Sequence, residues 1–191
     1  MLPTLFSEGD FVSIGTNDLI AFLFGVKRYG DDPRAAVFYT QPHPRWMQAV
    51  EEVAKEGVRA QKEVGVCGEW AGNPLFALFA VYLAGTHGTK MRLSMTYAQL
   101  ARIKLLIRSV TFAEVQALFH DYATQSPEEL TRRVGAFVEE VWQRVFKTPE
   151  FRRAYREVYR ESRQVLPAPT SRAAAARLPA PSLRAGLRRL A

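Results

Sequence analysis

Cysteine is almost absent: Cys67 is the only one. No disulfide can form within the chain, and a single free thiol suits a reducing compartment, so a cytoplasmic location is expected. Long apolar runs are absent as well. No stretch approaches the ~20 uncharged apolar residues of a membrane-spanning helix, and no basic segment leading into an apolar run marks a signal peptide. No membrane partner is therefore expected. Acid is missing from the far end of the chain, and aromatics are missing with it. From Pro167 onward the residues are mainly Pro, Ala, Ser and Arg. Such a segment cannot bury enough apolar surface to offset the entropy of ordering, and a disordered tail over 167–191 is expected.

What is present is globular. The chain is 48% hydrophobic and 12% aromatic over 191 residues, enough for one sizeable core. The net charge of +7 first suggests nucleic acid or a membrane surface. Its placement argues against both. Residues 1–147 hold 16 Lys/Arg and 16 Asp/Glu, whereas residues 148–191 hold 10 Arg and 3 Glu. The excess belongs to the tail, which lacks the interleaved aromatics of a single-strand binder, so no nucleic-acid partner is expected.

Periodicity and punctuation divide the chain. Asp10–Gly15 reads as a short buried strand. Asp18–Val26 reads as a helix with Leu19, Phe22, Leu23 and Val26 at helical spacing. Tyr29–Pro44 reads as a loop, punctuated by Gly30, Pro33, Pro42 and Pro44. Trp46–Lys62 is an amphipathic helix with Met47, Val50, Val53 and Val58 apolar, and Val64–Cys67 is a second strand. Asn73 as cap and Pro74 at the first position open a helix to Tyr82. Lys90–Ser94 is a third strand, followed by helices over Tyr97–Ile107, Phe112–Tyr122 and Pro127–Phe146. Ser126 and Glu129 form a capping-box signature for the last of these. Pro149–Arg163 is compatible with a charged helix. Alternating strand and helix predicts an α/β fold with a parallel sheet.

In parallel α/β folds, ligands bind where strands end and helices begin. "VSIGTNDLI" is such a place. Gly15 permits close backbone approach, and the following helix offers free N–H groups to an anion. Asn17 and Asp18 either cap that helix or meet a ligand there, and Asp18 has the oxygen donors of a hard cation site. "VGVCGEWAG" repeats the arrangement with Cys67 at the strand's end. A lone cysteine is either a small core hydrophobe or, at this rim, a reactive thiol. His43, His87 and His120 lie in no phospho-acceptor motif and read as structural or exposed.

Together, "DFVSIGTNDL", "VGVCGEWAGNP", "RLSM" and "RIKLLIRS" resemble the C-terminal barrel of phosphoenolpyruvate-utilising enzymes over roughly Leu5 to Val141. The likeness is strongest to the Enzyme I branch of the bacterial phosphotransferase systems. It implies a partial (β/α)8 TIM barrel made of the last three βα units, spanning 1–147, then a charged helical extension over 148–166 and the basic tail. It implies a phosphoryl-transfer site using phosphoenolpyruvate (PEP) and Mg²⁺. By the resemblance, Asn17 contacts the phosphate, Asp18 is one of two acidic Mg²⁺ ligands, Arg28 clamps the phosphate and Cys67 protonates the enolate to give pyruvate. Lys27 departs from the acidic residue the family usually carries before that arginine.

The resemblance places the start of this chain at the barrel's sixth strand. It thus implies that two further arginines, another Mg²⁺ ligand and the phospho-accepting histidine domain lie outside it. One expectation is a phosphotransferase fragment that transfers phosphoryl groups only together with the remaining parts, with a phosphocarrier protein as indirect partner. The alternative is an inactive remnant or a regulatory, dimer-forming module. A first strand with an unpaired Phe-, Val- and Ile-rich edge is also expected to seek a partner, either a second copy or the missing half.

Overall fold

The structure, a computed structural model, describes residues 2–27 and 33–153. The chain forms two compact units, Met1–Val141 and Trp142–Ala191. In the first, β1 (Val12–Gly15), β2 (Val64–Cys67) and β3 (Met91–Leu93) make one parallel sheet in that order. The register pairs Ile14 with Val66 and Gly15 with Cys67, while Gly65 stands opposite Arg92. The α/β expectation holds, and all three strands fall where the apolar pattern put them.

Helix α1 (Leu2–Glu8) precedes the sheet. α2 (Thr16–Phe24), α3 (Pro33–Thr40) and α4 (Pro44–Arg59) connect β1 to β2, and α5 (Pro74–His87) connects β2 to β3. The helices α6 (Tyr97–Arg108), α7 (Phe112–Phe119) and α8 (Pro127–Lys147) follow. One sheet face is apolar and closed: Ile14, Val64 and Val66 are buried. The alternate residues Ser13, Gly15, Gly65 and Cys67 leave the other face, and there Ser13 is exposed. α5 is apolar on every side and is correspondingly deep in the core. Phe79 packs its ring against Phe119 and Tyr122 with centroids 5.4 and 5.0 Å apart.

Local chemistry explains the boundaries. Asn73 Oδ1 accepts from the Leu75 N–H at 2.9 Å, as its place before Pro74 predicts. Ser126 Oγ accepts from the Glu129 N–H at 3.2 Å. Thr111 and Glu114 form a complete capping box at α7, a start signal beyond those read from the sequence. α4 stops at Arg59 rather than Lys62, because Gln61 takes a left-handed φ of 56°. Lys62 turns outward from the helix path, and its Nζ donates to the carbonyls of Phe6 and Gly9 at the end of α1.

Beside the earlier end of α4, α5 runs on to His87 rather than ending at Tyr82, and two larger departures from the sequence-based expectation stand out. The segment Tyr29–Pro44 is not all loop, since Pro33–Thr40 is helical. A proline fits a helix's first position as readily as it breaks one, and the Arg34, Ala35 and Ala36 that follow Pro33 are good helix formers. The buried stripe of α2 also differs. Thr16 and Ile20 are fully buried, whereas Phe22 is 88% exposed. The i, i+4 row that starts at Thr16 meets the core, and Phe24 in the same row stacks on Phe38 at 4.3 Å.

In the second unit, Trp142 and Phe146 stack with centroids 6.1 Å apart, and Phe146 meets Phe151 at 5.0 Å. Most of the expected extension over 148–166 and all of the tail over 167–191 lie outside the described residues.

Candidate functional site

The ends of β1 and β2 are adjacent because their last residues, Gly15 and Cys67, are register partners. Register partners carry their side chains to the same sheet face. Asp18 reaches that face from the first turn of α2. Its Oδ2 lies 3.0 Å from where a Cβ on Gly15 would stand, so the missing side chain of Gly15 is what admits the carboxylate. Asp18 and the half-buried Cys67 are therefore brought to one side of the sheet.

Neither Asn17 nor Asp18 caps α2. The N-cap is Gly15, and no side-chain bond closes that end. Asn17 is instead half-buried with an amide oxygen that has no hydrogen-bond partner among the described residues. Such atoms are rare in folded proteins and mark places where a ligand or water completes the structure. Asn17 lines a cleft of about 820 Å³ together with Gly68 and Glu69 after β2, Leu93 at the end of β3 with Ser94, Met95 and Thr96 beyond it, and Gln99 and Leu100 of α6. Cys67 and Asp18 are chain neighbours of two of its wall residues. Arg28 lies outside the described residues.

The turn after Cys67 is tightly held. Gly68 has a left-handed φ of 96° that an L side chain rarely adopts. Thr16 Oγ1 donates to the Cys67 carbonyl at 3.0 Å. In the 3₁₀ turn Glu69–Gly72, Trp70 is buried against Trp46 with centroids 4.9 Å apart. A Cβ on Gly72 would fall 2.2 Å from Gln99 Oε1, so Gln99 of α6 presses directly on this turn, and Thr96 Oγ1 lies 2.9 Å from the same oxygen. Thr16 and Gln99 carry no signal in the sequence alone, since each acts through a partner distant in sequence.

The histidines are structural or exposed, as expected. His43 caps α4 by accepting from the Arg45 N–H at 3.1 Å, and burial lowers its pKa. His120 is exposed. His87 ends α5 and lies with Nε2 2.7 Å from Glu51 Oε1.

The family model for the PEP-binding domain of PEP-utilising enzymes matches residues 1–112. The chain belongs to this family. Among curated relatives of this chain, the phosphoenolpyruvate-dependent phosphotransferase system protein of Salmonella typhimurium is 34% identical over 140 residues. That match covers 73% of this chain and 18% of the relative. The phosphoenolpyruvate-protein phosphotransferase of Cupriavidus necator is 37% identical over 105 residues, covering 54% of this chain and 17% of the relative. The phosphoenolpyruvate synthase of Pyrococcus furiosus is 34% identical over 84 residues, 44% of this chain and 10% of that one. The chain thus spans less than a fifth of the length of these relatives. Among the described residues, no helix is long and apolar enough to cross a membrane.

Proposed function

We propose that this chain is the C-terminal, PEP- and Mg²⁺-binding part of an Enzyme I-like phosphotransferase of the cytoplasm. The observation that carries this reading is the convergence at the ends of β1 and β2. The Asp18 carboxylate and the Cys67 thiol share a sheet face, and an amide with an unpartnered oxygen stands next in the chain to Asp18. A half-turn of the Asn17 amide offers its Nδ2 to a phosphate oxygen. Arg28 would close on the same anion as a planar fork.

The donor set suits Mg²⁺ in one way only. Among the described residues, no three His, Cys, Asp or Glu side chains gather as a cage. Mg²⁺ commonly takes one or two carboxylates and fills its octahedron with substrate oxygens and water, and Asp18 can supply one carboxylate. When bound, the ion neutralises charge on the phosphoryl oxygens.

In the reaction, the bond between phosphorus and the enol oxygen breaks as the phosphoryl group passes to an imidazole nitrogen on a separate part of the enzyme. Cys67 gives its thiol proton to the methylene carbon, and the enolate becomes pyruvate. The open sheet face, with its small residues Ser13, Gly15 and Gly65, suits the inner wall of a partial (β/α)8 barrel. Residues outside this chain, from a missing half or a second copy, would complete that barrel and present the phosphocarrier protein's phosphoryl route. Residues 148–166 and 167–191 would then be appendages to the barrel part at 1–147.

A second reading keeps the same cleft without turnover: an inactive remnant or a regulatory, dimer-forming module that still binds PEP. Titration calorimetry with PEP, with and without Mg²⁺, tests the shared core of both readings. Binding that needs Mg²⁺ and is lost in Asp18→Asn supports it, and equal heats for PEP and buffer refute it. Pyruvate release after adding the N-terminal parts of a relative separates the two. Cys67→Ala should then lower turnover by about 10²-fold or more while PEP still binds.

A further inference from the structure

Thr16 is fully buried at the first position of α2. Its hydroxyl is spent on one partner, the carbonyl of Cys67, at 3.0 Å across 51 residues of chain. It meets the next residue as well. A Cβ on Gly68 would stand 2.4 Å from Thr16 Oγ1, and Gly68 holds a φ of 96°. The Cys67–Gly68 peptide is therefore fixed at two points, by a hydrogen bond to its carbonyl and by the bulk of Thr16 against its α-carbon. The neighbour of Thr16 takes part too, since Asn17 Nδ2 lies 3.4 Å from that same Cβ position. A peptide held at its carbonyl cannot rotate freely, which restrains the ψ of Cys67 and so anchors the α-carbon from which the thiol projects.

We propose that Thr16 is a positioning residue that pins the Cys67–Gly68 peptide to the first turn of α2 and so fixes the thiol relative to Asn17 and Asp18. Its consequence for catalysis rests on the reading of Cys67 as proton donor. The positional claim does not.

The test uses the full chain. Cys67 is its only cysteine, so alkylation by iodoacetamide, followed by mass, reads this thiol alone. Thr16→Val removes the donor and keeps the bulk, whereas Thr16→Ser keeps the donor. In Thr16→Val, the alkylation rate and its pH profile should differ from wild type by about threefold or more, and Thr16→Ser should return to within about twofold. A folded Thr16→Val with the wild-type rate and profile overturns the proposal, as does a Thr16→Ser that behaves like the valine variant. Should Thr16→Val not fold, Thr16→Ala replaces it: a rate changed by the same factor supports the proposal, and a wild-type rate overturns it. Protection of wild-type Cys67 by PEP and Mg²⁺ is read separately. Its absence counts against the substrate reading and leaves the comparison of Thr16 variants intact.

Discussion

The two ends of α5 are built by opposite rules. Its start follows the Cys67 turn, beside a cleft where the Asn17 amide oxygen has no partner. Its end delivers His87 to Glu51, whose carboxylate also accepts from the Tyr122 hydroxyl and lies 3.3 Å from Lys55 Nζ. At that end one carboxylate serves three donors from three elements, so the polar groups complete one another. At the other end a polar atom has no partner among the described residues. Closed hydrogen bonds serve stability at one end, and the open one is where the proposed binding would take place.

Replacing Glu51 with Ala would break this contrast most severely. Tyr122, His87 and Lys55 would lose their common acceptor, and a loss of about 2–3 kcal/mol is expected in urea denaturation. Glu51→Gln should lose roughly half as much, since an amide oxygen still accepts.

The same carboxylate sharpens the comparison through pH. Burial pushes the Glu51 carboxyl up, but the donors Tyr122, His87 and Lys55 outweigh it and hold its pKa below the ordinary 4.5. A depressed carboxyl adds stability above its unfolded value, and that stability is lost as pH falls through the lower folded one. Below about pH 4.5 the wild type should therefore lose stability more steeply than Glu51→Gln. Parallel curves would show that the closed end is not held by this charge.

Smaller effects belong to the open end. Asn73→Ala removes the cap of α5 and should cost about 1 kcal/mol by thermal or urea melting. Asn17→Ala deletes an amide oxygen that has no partner among the described residues, so stability should stay within about 0.5 kcal/mol of wild type while Mg²⁺-dependent PEP binding falls. A large destabilisation in Asn17→Ala, with binding retained, would reverse the assignment of the two ends.

The sequence made visible what short-range chemistry determines. The apolar runs at Val12–Gly15, Val64–Cys67 and Met91–Leu93 are strands, and the Asn73–Pro74 and Ser126–Glu129 signals open helices where they stand. The two candidate loops could be read as well, because each follows directly on a strand. The failures have physical causes. Pro33 signals a break or a start with equal force, and its neighbours decided for a start. Leu19, Phe22, Leu23 and Val26 make an apolar stripe, but the core took the row through Thr16 and Ile20 instead, leaving Phe22 outside. Glu51 is separated from His87 by 36 residues and from Tyr122 by 71, so no local pattern announces their meeting. The same holds for Thr16 and Cys67, 51 residues apart.

The tilted, closely packed indoles of Trp46 and Trp70 have an optical consequence. Trp70 is three residues beyond Cys67, and both rings are buried with N–H groups that find no acceptor. The remaining tryptophan, Trp142, belongs to the other unit and can be replaced by phenylalanine. Tryptophan emission of the resulting variant, excited at the red edge of the band where tyrosine does not absorb, would come from this pair alone, giving a label-free signal for any movement of the turn beside the thiol.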